Sequence, residues 1–457
     1  RLLELEKTQQ GSDNKVELIA TRFEIGNYHK AQADSNKAIE FYLKAANSDA
    51  EEKTLQVVEA GYFAGLLITQ SGNVDRSNQV FQQALTHKGK ISGGEELFSQ
   101  IHQAYSKNLN SQSNIAGAIE QIDIALGLKV AAMESALIHT KATILINGKQ
   151  YKVAEAALSA YLKTVQQDKD KVPFLVLLAK AQLGYKNYKS ALETLDQALK
   201  IHGKSEFTMN LYDIFSLKSF ALSLKGDLIQ TIKNQETLID VIERLAESDQ
   251  KSQLGPANLQ LVEYHLQIGR LSDALRANKA ADFWMKKQSV DQLRILLNYA
   301  KIAQKQAKLK QSEEYFVQLQ QLVKPDSSKE LVAEIYYQRG FTKLFASKFS
   351  EALGDFQSAE KSYRDLVQPD KVIQSQMAQA NVLMSSGRME DAEKLFLALL
   401  TEQKDNLAVL GDVNNSLAFL NSELGRNTKA LEYSQAAEGA YKKANQQNRT
   451  PEVMNAR

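Results

Sequence analysis

EIYYQRGFTKLFASKFSEALGDFQSAEKSY, residues 334–363, holds the spacing on which the fold turns. Gly340 precedes an Ala-x-x-x-Phe-x-x-Ala run, Ala352 to Ala359, by twelve positions. The segments on either side of the polar turn between them carry apolar residues at helical spacing, so the stretch reads as helix, tight turn, helix. Two antiparallel helices approach closely only where side chains are small. Gly340 and Ala352 are therefore expected to face each other, Phe356 to fill the gap beyond them, and Ala359 to receive the next hairpin.

The same spacing returns along the whole chain. Clear copies are Ala38–Tyr42–Ala45, Ser77–Phe81–Ala84, Ala191–Leu195–Ala198 and Ala392–Phe396–Leu399, and weaker ones begin at Ala118, Ala154, Thr231, Ala274, Ser312 and Ala430. Successive starts lie 36 to 43 residues apart, which gives about eleven copies of one repeat. Small residues stand twelve positions ahead of most of them: Gly26, Gly65, Ala142, Ala179, Ala300, Ala380 and Ala418. Polar turns such as SGNVDRS (71–77), SGRMEDA (386–392) and LGRNTKA (424–430) sit just before the run. Pro173, Pro256, Pro325 and Pro369 are expected between repeats, where a missing N–H breaks no helix ladder. Strand-like alternation is absent, so the expected fold is all-α, an α-solenoid or superhelix of helix-turn-helix repeats. Around residues 200–255 the pattern weakens, with Thr231 and Gln235 in place of the alanine and the aromatic. That places a soft joint there, with an N-terminal sub-array over 1–210, a C-terminal one over 211–444 and a polar tail over 445–457.

These residues resemble the tetratricopeptide repeat. The small residue, the Gly-x-[Tyr/Phe/Leu] turn and the Ala-x-x-x-Phe-x-x-Ala run match its pattern over nearly the whole chain. The family's usual repeat is shorter, and its first-helix Trp is replaced here, by Tyr336 in the opening stretch. The longer period resembles the lengthened units of bacterial regulators and of kinesin light chains. Such a resemblance implies a curved groove lined by the first helix of each pair, and a protein or peptide as its ligand. The family's carboxylate clamp does not carry over. Asn27 and Asn381 occupy its first Asn slot, but the Lys slots hold Phe23 and Met377, and the next Asn slots hold Phe63 and Ser416.

Counting from the anchors, the groove face of the ninth repeat presents Tyr337, Phe341 and Phe345 as an aromatic stripe. On the same face lie Arg294, Leu297 and Lys301 before it, and Met377, Asn381, Met384, Asn415 and Phe419 after it. Aromatic, Met and Asn side chains with a few cations suit an amphipathic peptide or helix. The alternative is that these side chains pack against neighbouring helices.

Chemistry finds little support in the sequence. The formal net charge of +2 over 457 residues gives no field for nucleic acid or an anionic membrane. Without cysteine, thiolate metal sites, disulfides and thiol nucleophiles are excluded. The six histidines form no i, i+4 pair, so no metal and no cofactor is expected. HGKS (202–205) lacks the first glycine of a phosphate-binding loop and follows a helix. No run of apolar residues is long enough to cross a membrane, and the compartment, cytoplasmic or periplasmic, stays open. RLLELEKTQQ at the start reads as a cut or processed edge. With the resemblance, the expected function is a non-enzymatic protein- or peptide-binding scaffold, the recognition or regulatory segment of a larger bacterial protein. A sensory segment of a membrane signalling protein and an array controlling a catalytic domain on the same polypeptide are the alternatives.

Overall fold

A computed structural model describes the chain except for residues 11–13, 49–53, 204–205, 246–247, 289–291 and 445–457. The expected polar tail lies outside the described residues. Among the described residues there are 23 α-helices and no strand. A short helix, Leu2–Gln9, is followed by eleven helical hairpins. The chain forms two compact units, Arg1–Leu245 with six hairpins and Ala246–Arg457 with five. Residues 211–245, placed by sequence in the second sub-array, lie in the first unit, because the Met209–Lys225 helix packs on the Tyr188–His202 helix.

Every anchor found in the sequence is buried. Ala38, Ser77, Ala118, Ala154, Ala191, Thr231, Ala274, Ser312, Ala352 and Ala392 have no exposed surface, and Ala430 keeps 8%. A Cβ on Gly340 would stand 2.8 Å from Cε1 of Phe356, so the glycine makes room for that ring. Gly26 and Gly65 do the same for the rings of Tyr42 and Phe81. Where the anchor is serine, its hydroxyl donates to the carbonyl of the small residue twelve positions earlier, Ser77 Oγ to Gly65 O at 2.8 Å and Ser312 Oγ to Ala300 O at 3.0 Å. Gly65→Ala is therefore expected to destabilise the first unit by about 1–2 kcal/mol, overpacking outweighing the gain in helix propensity. Chemical denaturation checks the loss, and adding Phe81→Leu should return part of it.

All eleven turns share one geometry. Five positions before each anchor the backbone is left-handed, at Ala33, Gly72, Ser113, Lys149, Lys186, Gly226, Gly269, Ala307, Ser347, Gly387 and Gly425. The next residue's N–H reaches back to the carbonyl five residues earlier, at 2.8–3.2 Å, which closes the first helix. In five of the first unit's six turns, all but that of Gln150, the same residue also caps the second helix with its side chain. Asp34, Asn73, Asn114, Asn187 and Asp227 each accept a hydrogen bond from the N–H three residues on. In the second unit the position is occupied by Arg270, Lys308, Lys348, Arg388 and Arg426. Two of these cations tie to the preceding repeat instead, Lys348 to Glu313 at 2.6 Å and Arg426 to Glu393 at 2.9 Å.

The prolines depart from expectation at one point. Pro369 opens its helix and Pro325 lies between helices, but Pro173 is the sixth residue of the Asp168–Gly184 helix. The carbonyl it leaves free belongs to Lys169, in an exposed first turn where water can satisfy it.

Candidate functional site

In the second unit the first helices of three successive repeats, Leu254–Gln267, Leu293–Lys305 and Lys329–Phe345, line a groove of about 650 Å³. Its apolar lining comes from Pro256, Leu259, Met285, Leu297 and Leu331. Arg294 is exposed at this groove and has no carboxylate within ion-pair distance among the described residues. Lys301, by contrast, is engaged, with Nζ 3.1 Å from Glu263 and 4.0 Å from Glu334.

Glu334 links the groove to the repeats beyond it. It accepts from Gln338 Nε2 at 2.8 Å and from Tyr363 OH at 2.9 Å, and Lys371 lies 3.9 Å away. Burial, with Glu334 beside it, pushes the Tyr363 hydroxyl far above its ordinary range, so it remains a donor. The same two causes raise Tyr337 to about 12.

The aromatic stripe divides. Tyr337 and Phe341 lean near-perpendicularly on Phe356, at 5.7 and 4.9 Å between centroids, and fill the space between helices. Phe345, one turn on at the helix end, is 58% exposed. Met377 packs against the cluster of Ile373, Phe396 and Val413. Asn381 and Asn415 are half-buried, and Asn415 Oδ1 is buried without a hydrogen-bond partner among the described residues. Phe419 is 49% exposed. Of the residues picked from sequence, the groove thus brings together Arg294, Leu297 and Lys301, while Phe345 and Phe419 stand free elsewhere on the first-helix face.

Sequence reasoning missed Leu259, Glu263, Met285, Leu331 and Glu334. Glu263 and Leu259 were findable, because they hold in the seventh repeat the register positions of Lys301 and Leu297 in the eighth. Met285 was not, since it reaches the groove from a second helix, Leu271–Gln288, where it lies against Gly255. Its neighbour Trp284 is half-buried beside Phe283. In the first repeat the failed clamp has a structural use: Asn27 Oδ1 accepts from Tyr42 OH at 2.7 Å, and Phe23, Tyr42 and Phe63 form one aromatic cluster.

The sequence matches no family model and no curated protein. The fold does have counterparts among solved structures. Apo RapI superimposes with a TM-score of 0.50 at 11% identity, covering 78% of this chain and 97% of its own. A Rap protein complexed with competence and sporulation factor gives 0.42 at 12%, covering 71% and 99%. The C-terminal part of a TPR repeat-containing protein from Cytophaga hutchinsonii gives 0.42 at 15%, covering 60% and 98%. The chain is an all-α array of tetratricopeptide-type helical hairpins.

Proposed function

We propose that this chain is a non-catalytic scaffold that binds an extended peptide or an amphipathic helix, as the recognition segment of a larger regulatory protein. The observation that carries the reading is the groove of the seventh to ninth repeats. It offers an apolar floor to a side chain and, in Arg294, an exposed cation with no carboxylate within ion-pair distance among the described residues. A ligand that sets an aliphatic side chain on Leu259, Leu297 and Leu331 can place a carboxylate at Arg294, a charge-assisted contact of the stronger kind. Phe345 and Phe419 extend the receptive face along the same row of first helices. No described helix is long and apolar enough to cross a membrane.

Selection of random twelve-residue peptides on the full chain, followed by fluorescence polarisation, tests this. Peptides combining aliphatic and acidic residues should be enriched, and Arg294→Ala should weaken the best of them by roughly tenfold. Enrichment of none, or binding indifferent to Arg294→Ala and Leu259→Ala, would remove the groove as the site. Tyr337 and Phe341 are unsuitable probes, because truncating either opens a cavity beside Phe356.

A further inference from the structure

In the groove of the seventh to ninth repeats one buried polar side chain has no partner among the described residues. Asn298 is 5% exposed and lines the groove together with Leu297 and Leu331. Its side-chain amide makes no hydrogen bond to any described residue. The other seven asparagines buried to a like degree all donate to an oxygen of the chain. Three of them, Asn258, Asn414 and Asn421, fold back on the carbonyl four residues earlier, at 2.7–2.9 Å. The carbonyl that would serve Asn298 in this way belongs to Arg294, and the amide does not turn to it.

A buried amide without a partner is costly, so the arrangement favours a ligand that pairs it. Asparagine carries an acceptor oxygen and a donor nitrogen in one plane, the same two groups that a peptide main chain presents. In an extended chain the N–H and C=O of one residue point to the same edge. One residue can therefore exchange both bonds with Asn298, as residues of two paired strands do. A helix cannot, since its interior N–H and C=O groups are bound to each other. Arg294 and Lys301 stand about one turn to either side of Asn298 on the Leu293–Lys305 helix. Arg294, about 6 Å away along the axis, lies within reach of an acidic side chain two extended residues from the paired one. Lys301 is already held by Glu263 and Glu334.

We infer that the groove holds its ligand by the main chain: Asn298 pairs with the backbone N–H and C=O of one residue, so the bound segment is extended and not helical. The inference rests on the groove being the binding site, as proposed above, and narrows the ligand to one of the two conformations that reading allows. The Asn298 contact is the same whatever the sequence of the segment. Selectivity for an aliphatic and an acidic side chain comes from its neighbours, Leu259, Leu297 and Leu331 for the one and Arg294 for the other.

The probe is the tightest twelve-residue peptide selected on the full chain whose binding Arg294→Ala weakens. Each of its backbone amides is replaced in turn by an ester, which removes the N–H and weakens the carbonyl as an acceptor. One or two neighbouring replacements, within about two residues of an acidic side chain, should weaken binding by roughly tenfold, and the rest should change it little. Asn298→Leu should weaken the all-amide peptide by a similar factor and make binding indifferent to those same replacements. The free Asn298→Leu chain should be at least as stable to urea as the native one, because an apolar side chain of similar volume leaves no amide unpaired. Ester scanning uses the native chain and decides the matter even where the variant folds poorly. Binding that depends on Arg294 but ignores every ester and Asn298→Leu would overturn the inference and leave the groove as the site. Losses spread evenly along the peptide, or tightening by the helix-favouring residue aminoisobutyrate, would do the same. Selection of no Arg294-dependent peptide would remove the groove itself and this inference with it.

Discussion

Replacing Asp355 by alanine is expected to cost the second unit about 3–5 kcal/mol, the largest loss foreseen for a single side chain. Asp355 is 6% exposed and receives three donors: Arg339 Nε at 2.8 Å, Arg339 Nη2 at 2.5 Å and Lys343 Nζ at 3.0 Å. Arg339 and Lys343 keep only 12% and 18% of their side-chain surface. Glu351, 3.3 Å from Lys343, is well exposed and cannot replace the buried carboxylate. Removing Asp355 therefore leaves a guanidinium out of water with no counter-ion, which costs more than the intact pair contributes. The double change Arg339→Met with Asp355→Leu should recover most of the loss, since an apolar pair of similar volume carries no desolvation penalty. Urea denaturation of the three proteins measures both steps. A single variant as stable as the native chain would show that the pair is solvated in practice.

The second large effect runs the other way. Six of the eleven turns place a residue with a side chain in the left-handed region: Ala33, Ser113, Lys149, Lys186, Ala307 and Ser347. The Cβ of such a residue crowds the following carbonyl, and glycine removes the strain. Each change to glycine should gain about 0.5–1 kcal/mol after the entropy it adds to the unfolded chain. Ala33→Gly, Ser113→Gly, Lys149→Gly and Lys186→Gly, all in the first unit and in separate turns, should add nearly independently. Together they should give about 2–4 kcal/mol, read as a higher melting temperature. The reverse substitution Gly72→Val should lose stability at the same register position, where φ is +86°.

Much of the fold was legible in the sequence because its determinants are local and repeat. A small residue at each anchor and a polar turn before it are needed wherever two helices cross closely, and eleven copies make the period visible even with Thr231 and Gln235 in the weakest one. That the Phe356 ring lies over Gly340 has a geometric reason: helical side chains lean toward the N-terminus, so the ring reaches back over the position one turn earlier. The fate of the aromatic stripe was not legible at all. Tyr337, Phe341 and Phe345 share one register, and only packing decides that two of them close on Phe356 while the third stays exposed. Likewise the freedom of Arg294 and the engagement of Lys301 depend on Glu263 and Glu334, each from a neighbouring repeat 38 or 33 positions away.

Hydrogen exchange of the full chain, with and without a peptide selected on it, tests most directly that the first-helix face of the second unit is the recognition surface. The expected result is added protection concentrated in Leu254–Gln267, Leu293–Lys305 and Lys329–Phe345, with the second helices little changed. Protection centred on the second helices, or no change in these three while the peptide is bound, would contradict it.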